Sequence, residues 1–486
     1  MPGFGGQKYT DLPLSIIGST KFGRYPFMSS EQTYNMIMSD NYSVPFAGFK
    51  RAAVINPSGF GRGIYSSVRL NKMFAVVDNG IYTFEANLTP RLVGNTTTVR
   101  GDVFISENNN TTNGGEVAFS DSRNLYIYKQ NTNSVDTLVN GVDIDFTPGY
   151  LSYQNGRFIS PDLASNQWRL SDINQSTVGH WPTNSRHVGL IQTKPTRAVA
   201  CIRFPSKGNL LLVFGNNIAE HWYDVGAQLF PYQRSQSTNI DYGCLNPATI
   251  AESEEIVAWL GINEKSGPTI MFSTGGDVNH LSTDGIDFKL ATLVNPANSY
   301  GFMFKQDGHL FYVITFVDDN LTYAYDFNTN AFYTLSDQNL NYFPARRVAF
   351  FNDQYYFVSI DDGNLYQLGS QFTNYDYGDG HVHEIPRVRI CPEIRQADQS
   401  YFVTGYTGFK IESGITRNTQ RVDFRLSKNS GVSYGNVQSI TLPVTGHYQN
   451  RLMFWNQGIS NTLVPQFRFY GFDRFIAADG VVGIYQ

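Results

Sequence analysis

The stretch "LLVFGNNIAEHWYDVG", residues 211–226, is an apolar run that stops at Gly215-Asn216-Asn217 and restarts as Ile218-Ala219-Glu220-His221-Trp222-Tyr223. Adjacent Glu, His and Trp invite a catalytic reading. Strand geometry argues against it. Side chains two apart share a face, so Glu220 and Trp222 point one way and His221 the other. Gly-Asn-Asn is the composition that a hairpin turn favours. The stretch therefore reads as two antiparallel strands.

The same plan recurs along the chain. "MFAVVDNGIYTFEA" (residues 73–86) turns at Asp78-Asn79-Gly80, where Asn-Gly favours a tight hairpin. "YLSYQNGRFISPD" (150–162) turns at Asn155-Gly156, and residues 301–335 turn at Asp307-Gly308, Asp318 to Asn320 and Asn328 to Asn330. Residues 346–369 turn at Asn352-Asp353 and at Asp361-Asp362-Gly363. "NLYIYKQNTNSVDTL" and "TYAYDFNTNAFYTL" share an aromatic strand, an Asn-Thr-Asn turn and a strand ending Thr-Leu. The modules start about every 40–50 residues, the spacing of four-stranded propeller blades. A lone hairpin cannot bury both faces, whereas radially stacked blades cover one another. The expected fold is all-β: a β-propeller of about six or seven degenerate blades over residues 61–395.

The ends differ. Residues 396–486 hold alternating strands at wider spacing ("RVDFRLSKNSGVSYG", "RLMFWNQG", "VPQFRFYGFD"), which suits a β-sandwich-like domain. Residues 1–60 are expected to pack with that domain or to close the propeller. "SSEQTYNMIMSD" (29–40) is the one helix candidate, two turns with Ser30 as cap.

Composition narrows the function. The 486 residues carry a formal charge of −5, only 16% charged residues, 44 Gly, 30 Tyr and 36 Phe. The longest basic cluster is Arg346-Arg347, so a phosphate-gripping stripe is not expected. Cys201, Cys244 and Cys391 form no CxxC motif and read as buried thiols. The first residues lack the pattern of a signal peptide. No run reaches the ~18 apolar residues of a membrane span.

Chemical motifs are sparse. In "HVHE", a strand would put His381 and His383 on one face as two metal ligands, but no third ligand is apparent. An exposed turn is the simpler account. "SKNSGVSYG" (427–435) and, less well, "STDGIDF" (282–288) resemble the Asp-box turn of sialidase-like propellers. That turn is a folding device, with Asn429 and Gly431 suited to φ > 0. A glycosidase needs two carboxylates at fixed separation. Glu220, Asp224, Glu252, Glu254, Glu255, Asp361 and Asp362 are available, but most stand in turns, and "ESEE" (252–255) reads as a solvated strand entry. No nucleophile elbow, P-loop or HExxH helix occurs, and no cofactor is expected.

The order of features resembles the tail hub proteins of short-tailed bacteriophages, the packaged-DNA-stabilisation family of P22-like phages. "TYNMIMSDNYSVPFAGFKR" is similar to that family's opening, with Ala47 where a Gly often stands. "NQWRLSDINQSTVGHW" resembles a central segment, although Pro182 falls late. "LLVFGNNIAEHWYDVGAQLFPYQR" resembles the family's strand–turn–strand. Gly215, Asn216, Glu220 and Trp222 carry that likeness, with Ile218 and Ala219 as departures. "RLSKNSGVSYG" resembles its C-terminal hairpin. The resemblance implies a non-enzymatic virion protein made in the host bacterial cytoplasm, forming a hexameric ring. It also implies partners: a head-to-tail adaptor protein above, tailspikes or tail fibres outside, a needle or plug below. Genomic DNA would pass through the lumen without sequence-specific binding. Two alternatives remain open from the residues alone. One is a glycan-binding or glycan-depolymerising propeller, supported by the aromatic content and the Asp-box-like turn. The other is a cellular propeller serving as an interaction module.

Overall fold

In the computed structural model, residues 9–23, 30–204, 206–413, 419–443, 446 and 448–485 are described. Seven successive small sheets form the propeller. Blades 1 to 4 are four-stranded and cover residues 61–95, 104–138, 152–190 and 198–240. Blade 5 (243–280) splits its inner strand into Gly243–Cys244 and Ala251–Ser253. Blade 6 (299–335) has four strands, and blade 7 supplies only three from residues 345–369. Innermost strands of consecutive blades pack on one another, and Ala345–Phe351 returns to Gly61–Ser67 to close the ring.

The fourth strand of blade 7 comes from far upstream. Gly48–Ala53 pairs antiparallel with Leu365–Gly369, from Leu365 opposite Ala53 to Gly369 opposite Gly48. Phe49 anchors it. Fully buried, its ring stacks on Tyr375 at 4.4 Å and meets Phe343, Phe357, Tyr366 and Tyr377 edge-on. Gly48 lies so close to the Asn374 carbonyl that a Cβ would stand 2.4 Å from it.

Local turn chemistry explains most hairpins. Asn155-Gly156, Asp307-Gly308 and Asn352-Asp353 are two-residue loops with both φ values positive, the twist that matches paired strands. The two Asn-Thr-Asn turns occupy equivalent positions, between the third and fourth strands of blades 2 and 6. The last Asn of each, Asn133 and Asn330, holds the positive φ. At residues 78–80 the loop is Asp78-Asn79, and Gly80 already pairs with Val77.

Two further sheets make a sandwich. One joins Thr10–Leu14, Met36–Ser39, Tyr42–Pro45, Phe402–Glu412, Gln449–Ser460 and Ile476–Tyr485. The other continues blade 6 outward through Ser30–Tyr34, Arg387–Ile390, Thr462–Tyr470, Gln420–Ser427 and Gln438–Leu442. Leu14, Met36, Phe409, Phe424, Phe454 and Phe467 share the core between them.

Three local expectations need correction. Residues 30–39 are two strands, not a helix. They break at Asn35 (φ 53), whose side chain donates to Ser336 and to the Pro386 carbonyl. Long-range strand pairing overrides the weak helical pattern. The segment 282–288 is not an Asp-box turn but the start of the helix Asp284–Ala291. Thr283 caps it, and Asp284 and Asp287 lie in its first turn. In the 427–435 turn the positive φ values fall on Ser430 and Gly431, while Asn429 works through its side chain, accepting from Ser433 N at 2.9 Å.

Candidate functional site

The hairpin of residues 210–224 forms the middle of blade 4, with Phe214 opposite Ala219. Glu220 is fully buried there. Its Oε1 accepts from Gln192 N (2.9 Å), Thr193 N (2.7 Å) and Thr193 Oγ1 (2.7 Å), and its Oε2 from Trp222 Nε1 (3.0 Å). Glu220 and Trp222 thus share a face. Four donors occupy the carboxylate, which fastens the blade 3–blade 4 connection to blade 4. Trp222 packs edge-on against Trp168 of blade 3 at 5.4 Å. Gly215 fits beneath Thr196, whose Cγ2 would stand 2.4 Å from a Cβ, and Asn216 N donates to Thr196 Oγ1. This arrangement positions blades and offers no proton-transfer pair.

The two histidine candidates do not converge on a metal site. His381 precedes the short strand His383–Glu384, and their rings stand 6.5 Å apart. His383 Nε2 meets Asp379 Oδ2 at 2.9 Å, and the His381 backbone N–H donates to Asp379 Oδ1. These bonds hold the Asp379 carboxyl below its ordinary range. Among the described residues no group of three His, Cys, Asp or Glu side chains could hold a metal ion.

Buried arginines do the joining that the sequence left invisible. Arg62, fully buried in blade 1, donates to the carbonyls of Asp78 (2.7 Å), Thr98 (2.7 Å), Arg100 (3.0 Å) and Gly101 (2.8 Å), pinning the path to blade 2. Arg346 pairs with Asp102 at 2.8 Å and lies over the rings of Phe60 and Tyr300, linking blades 7, 1 and 6. Arg389 ties the N-terminal segment to the sandwich. It pairs with Glu31 at 2.6 Å and donates to the carbonyls of Ser15 and Ser19. Its guanidinium lies over Gly18, where a Cβ would stand 1.9 Å from Nη2. Burial pushes Arg387 down to about 10, with Tyr375 and Glu384 opposing. Burial likewise pushes the thiols of Cys201, Cys244 and Cys391 up.

Sequence reading also missed a Ser–His–Asp chain. Ser39 Oγ meets His309 Nε2 at 3.3 Å, and His309 Nδ1 meets the buried Asp326 Oδ2 at 2.8 Å. Asp326 also accepts from Asn328 N and Thr329 Oγ1 within its own turn. The chain clasps the hairpin of residues 36–45 to blade 6. No spacing signal could have found it, because the partners lie some 270 residues apart. The "ESEE" segment is likewise more than a strand entry. Ala251–Ser253 is itself a strand, Glu254-Glu255 is the turn, and Glu252 faces the propeller axis.

A family model described as bacteriophage P22 Gp10, beta-propeller, matches residues 24–373. That span runs from before the closing strand through blade 7. No curated protein matches the chain. Among solved structures, a chain of the mitotic checkpoint complex is 13% identical, with 66% of this chain and 94% of that chain covered at a TM-score of 0.42. An ancestral GH74 enzyme is 12% identical, with 73% and 54% covered at 0.42. The computationally designed Ika8 protein is 12% identical, with 66% and 99% covered at 0.39. At these scores none of the three bears on function.

Proposed function

This chain belongs to the phage stabilisation family described as bacteriophage P22 Gp10, beta-propeller, and on that premise we propose that it is the tail hub of a short-tailed phage virion. The match across residues 24–373 is the observation that carries the reading. In this role several copies, six by the family resemblance, form a ring beneath the head-to-tail adaptor. The ring extends the DNA channel and helps retain the packaged genome. Tailspikes or fibres dock outside, and a needle or plug closes the end. The protein is made in the host cytoplasm and incorporated into the tail.

The physical character of the chain suits a scaffold. The propeller closes on itself, so the faces of neighbouring blades cover one another. Its connections are fixed by buried arginines and by Glu220 rather than by mobile polar loops. A net charge of −5 does not favour retention of DNA phosphates during passage. Head-to-tail contacts between copies would generate a closed ring.

Native mass spectrometry of the protein with and without its adaptor ring tests the reading, together with electron microscopy of virion tails labelled on this chain. The expected result is a cyclic oligomer on the adaptor and label at the tail. A chain that stays monomeric with the adaptor, or label absent from the tail, overturns it.

A further inference from the structure

The innermost strands of the seven blades surround an axial cavity of about 550 Å³. Its polar lining comes from blades far apart in sequence: Tyr65, Glu107, Ser152, Arg203, Glu252 and Arg347. Glu107 is held by Ser67 Oγ. Arg203 is exposed to the cavity and makes no ion pair among the described residues. Glu252 is exposed to the cavity yet ringed by protein. Burial holds its carboxyl above the ordinary range, and Arg203 opposes that shift. Tyr65 feels Glu107, Glu252 and Arg203 together, so groups from blades 1, 2, 4 and 5 share one space.

Behind the lining, two buried atoms shielded from the open space lack hydrogen-bond partners among the described residues. Ser152 is 8% exposed, and its Oγ has no hydrogen bond. Arg347 lies over the Phe104 ring at 5.4 Å and donates to the Ala248 carbonyl, but its Nε is unsatisfied. The cavity has the size of small-molecule sites and an apolar complement in Ile105, Phe302 and Met303.

We propose that the axial cavity binds a small hydroxyl-rich carboxylate, a sugar acid of mono- or disaccharide size. The unpaired guanidinium of Arg203 would take the ligand's carboxylate in a two-pronged contact. Hydroxyls of the ligand would donate to Glu107 and Glu252. A simple cation meets two guanidiniums there. A polycarboxylate meets two glutamates. An apolar ligand would strip water from charged groups without replacing it. The site does not depend on the tail-hub role.

Saturation-transfer NMR and calorimetry on the full chain test it, with glucuronic acid and N-acetylneuraminic acid as probes and glucose as the neutral comparator. At least one acid is expected to bind, and glucose to bind at least about tenfold more weakly, the loss of a charge-assisted contact. Arg203→Ala should weaken the acid at least about tenfold and Glu252→Gln several-fold, with melting temperatures unchanged. Three results overturn the proposal: no signal from either acid at about 10 mM, equal binding of glucose, or binding that Arg203→Ala leaves intact.

Discussion

Replacing Glu220 by glutamine is expected to destabilise the protein by about 3 kcal/mol, even though the change is one atom. The carboxylate is fully buried and accepts four hydrogen bonds of 2.7–3.0 Å. A hydrogen bond to an ionised group contributes about 1.5–3 kcal/mol, against about 1 for a neutral pair. Gln keeps an oxygen for the two backbone N–H groups and the Thr193 hydroxyl, at reduced strength. Its amide then points N–H against the Trp222 N–H, orphaning a buried donor at about 1–2 kcal/mol. Glu220→Ala leaves all four donors unpaired and opens a void, for about 4–5 kcal/mol. Urea unfolding followed by tryptophan fluorescence reads both, and Trp222 and Trp168 report the site directly. Glu255→Gln, in the exposed turn beside Glu252, is the control and should be neutral. If Glu220→Gln unfolds at the same urea concentration as the control, the carboxylate does not fasten the blades and the reasoning fails.

Other outcomes follow from the same packing. Phe49→Ala should cost about 4 kcal/mol and open blade 7 first, seen as early hydrogen exchange in residues 48–53 and 365–369. A double-mutant cycle on Arg389→Met and Glu31→Gln should give a coupling energy above about 1 kcal/mol, because Glu31→Gln takes the carboxylate from the fully buried Arg389, while Arg389→Met leaves Glu31 only the exposed Lys21 at 3.0 Å. For Asp121, burial pushes the carboxyl up, but hydrogen bonds from Asn124 N, Thr98, Tyr126 and Arg123 N outweigh it and hold it low. Its stabilisation is therefore present above the ordinary carboxyl value of about 3.9 and lost as pH falls through the lower folded value. The stability gap between wild type and Asp121→Asn should accordingly narrow in acid titrations. Ser39 should remain unlabelled by a fluorophosphonate probe, as expected of a clasp. Labelling that disappears in Ser39→Ala would make it a nucleophile.

The seven-bladed closure is explicit in the strand pairing, with Gly48–Ala53 completing blade 7. What lies inside each blade is local. Asn155-Gly156, Asp307-Gly308 and the twin Asn-Thr-Asn turns need positive φ, and few residues provide it cheaply, so their hairpins could be read directly. Strand alternation likewise puts Glu220 and Trp222 on one face and His221 on the other.

The misreadings have a common cause. Residues 30–39 and 282–288 carry weak local patterns, and their state depends on what packs beside them. The pairing of residues 48–53 with 365–369, the Arg389–Glu31 contact and the axial meeting of Tyr65, Glu107, Arg203 and Glu252 all join segments with no spacing rule between them. Local turn and strand propensities are short-range energies written residue by residue. Ring closure, buried ion pairs and the axial cavity arise only when seven blades and the chain's two ends occupy the same space, and that is a property of the tertiary structure alone.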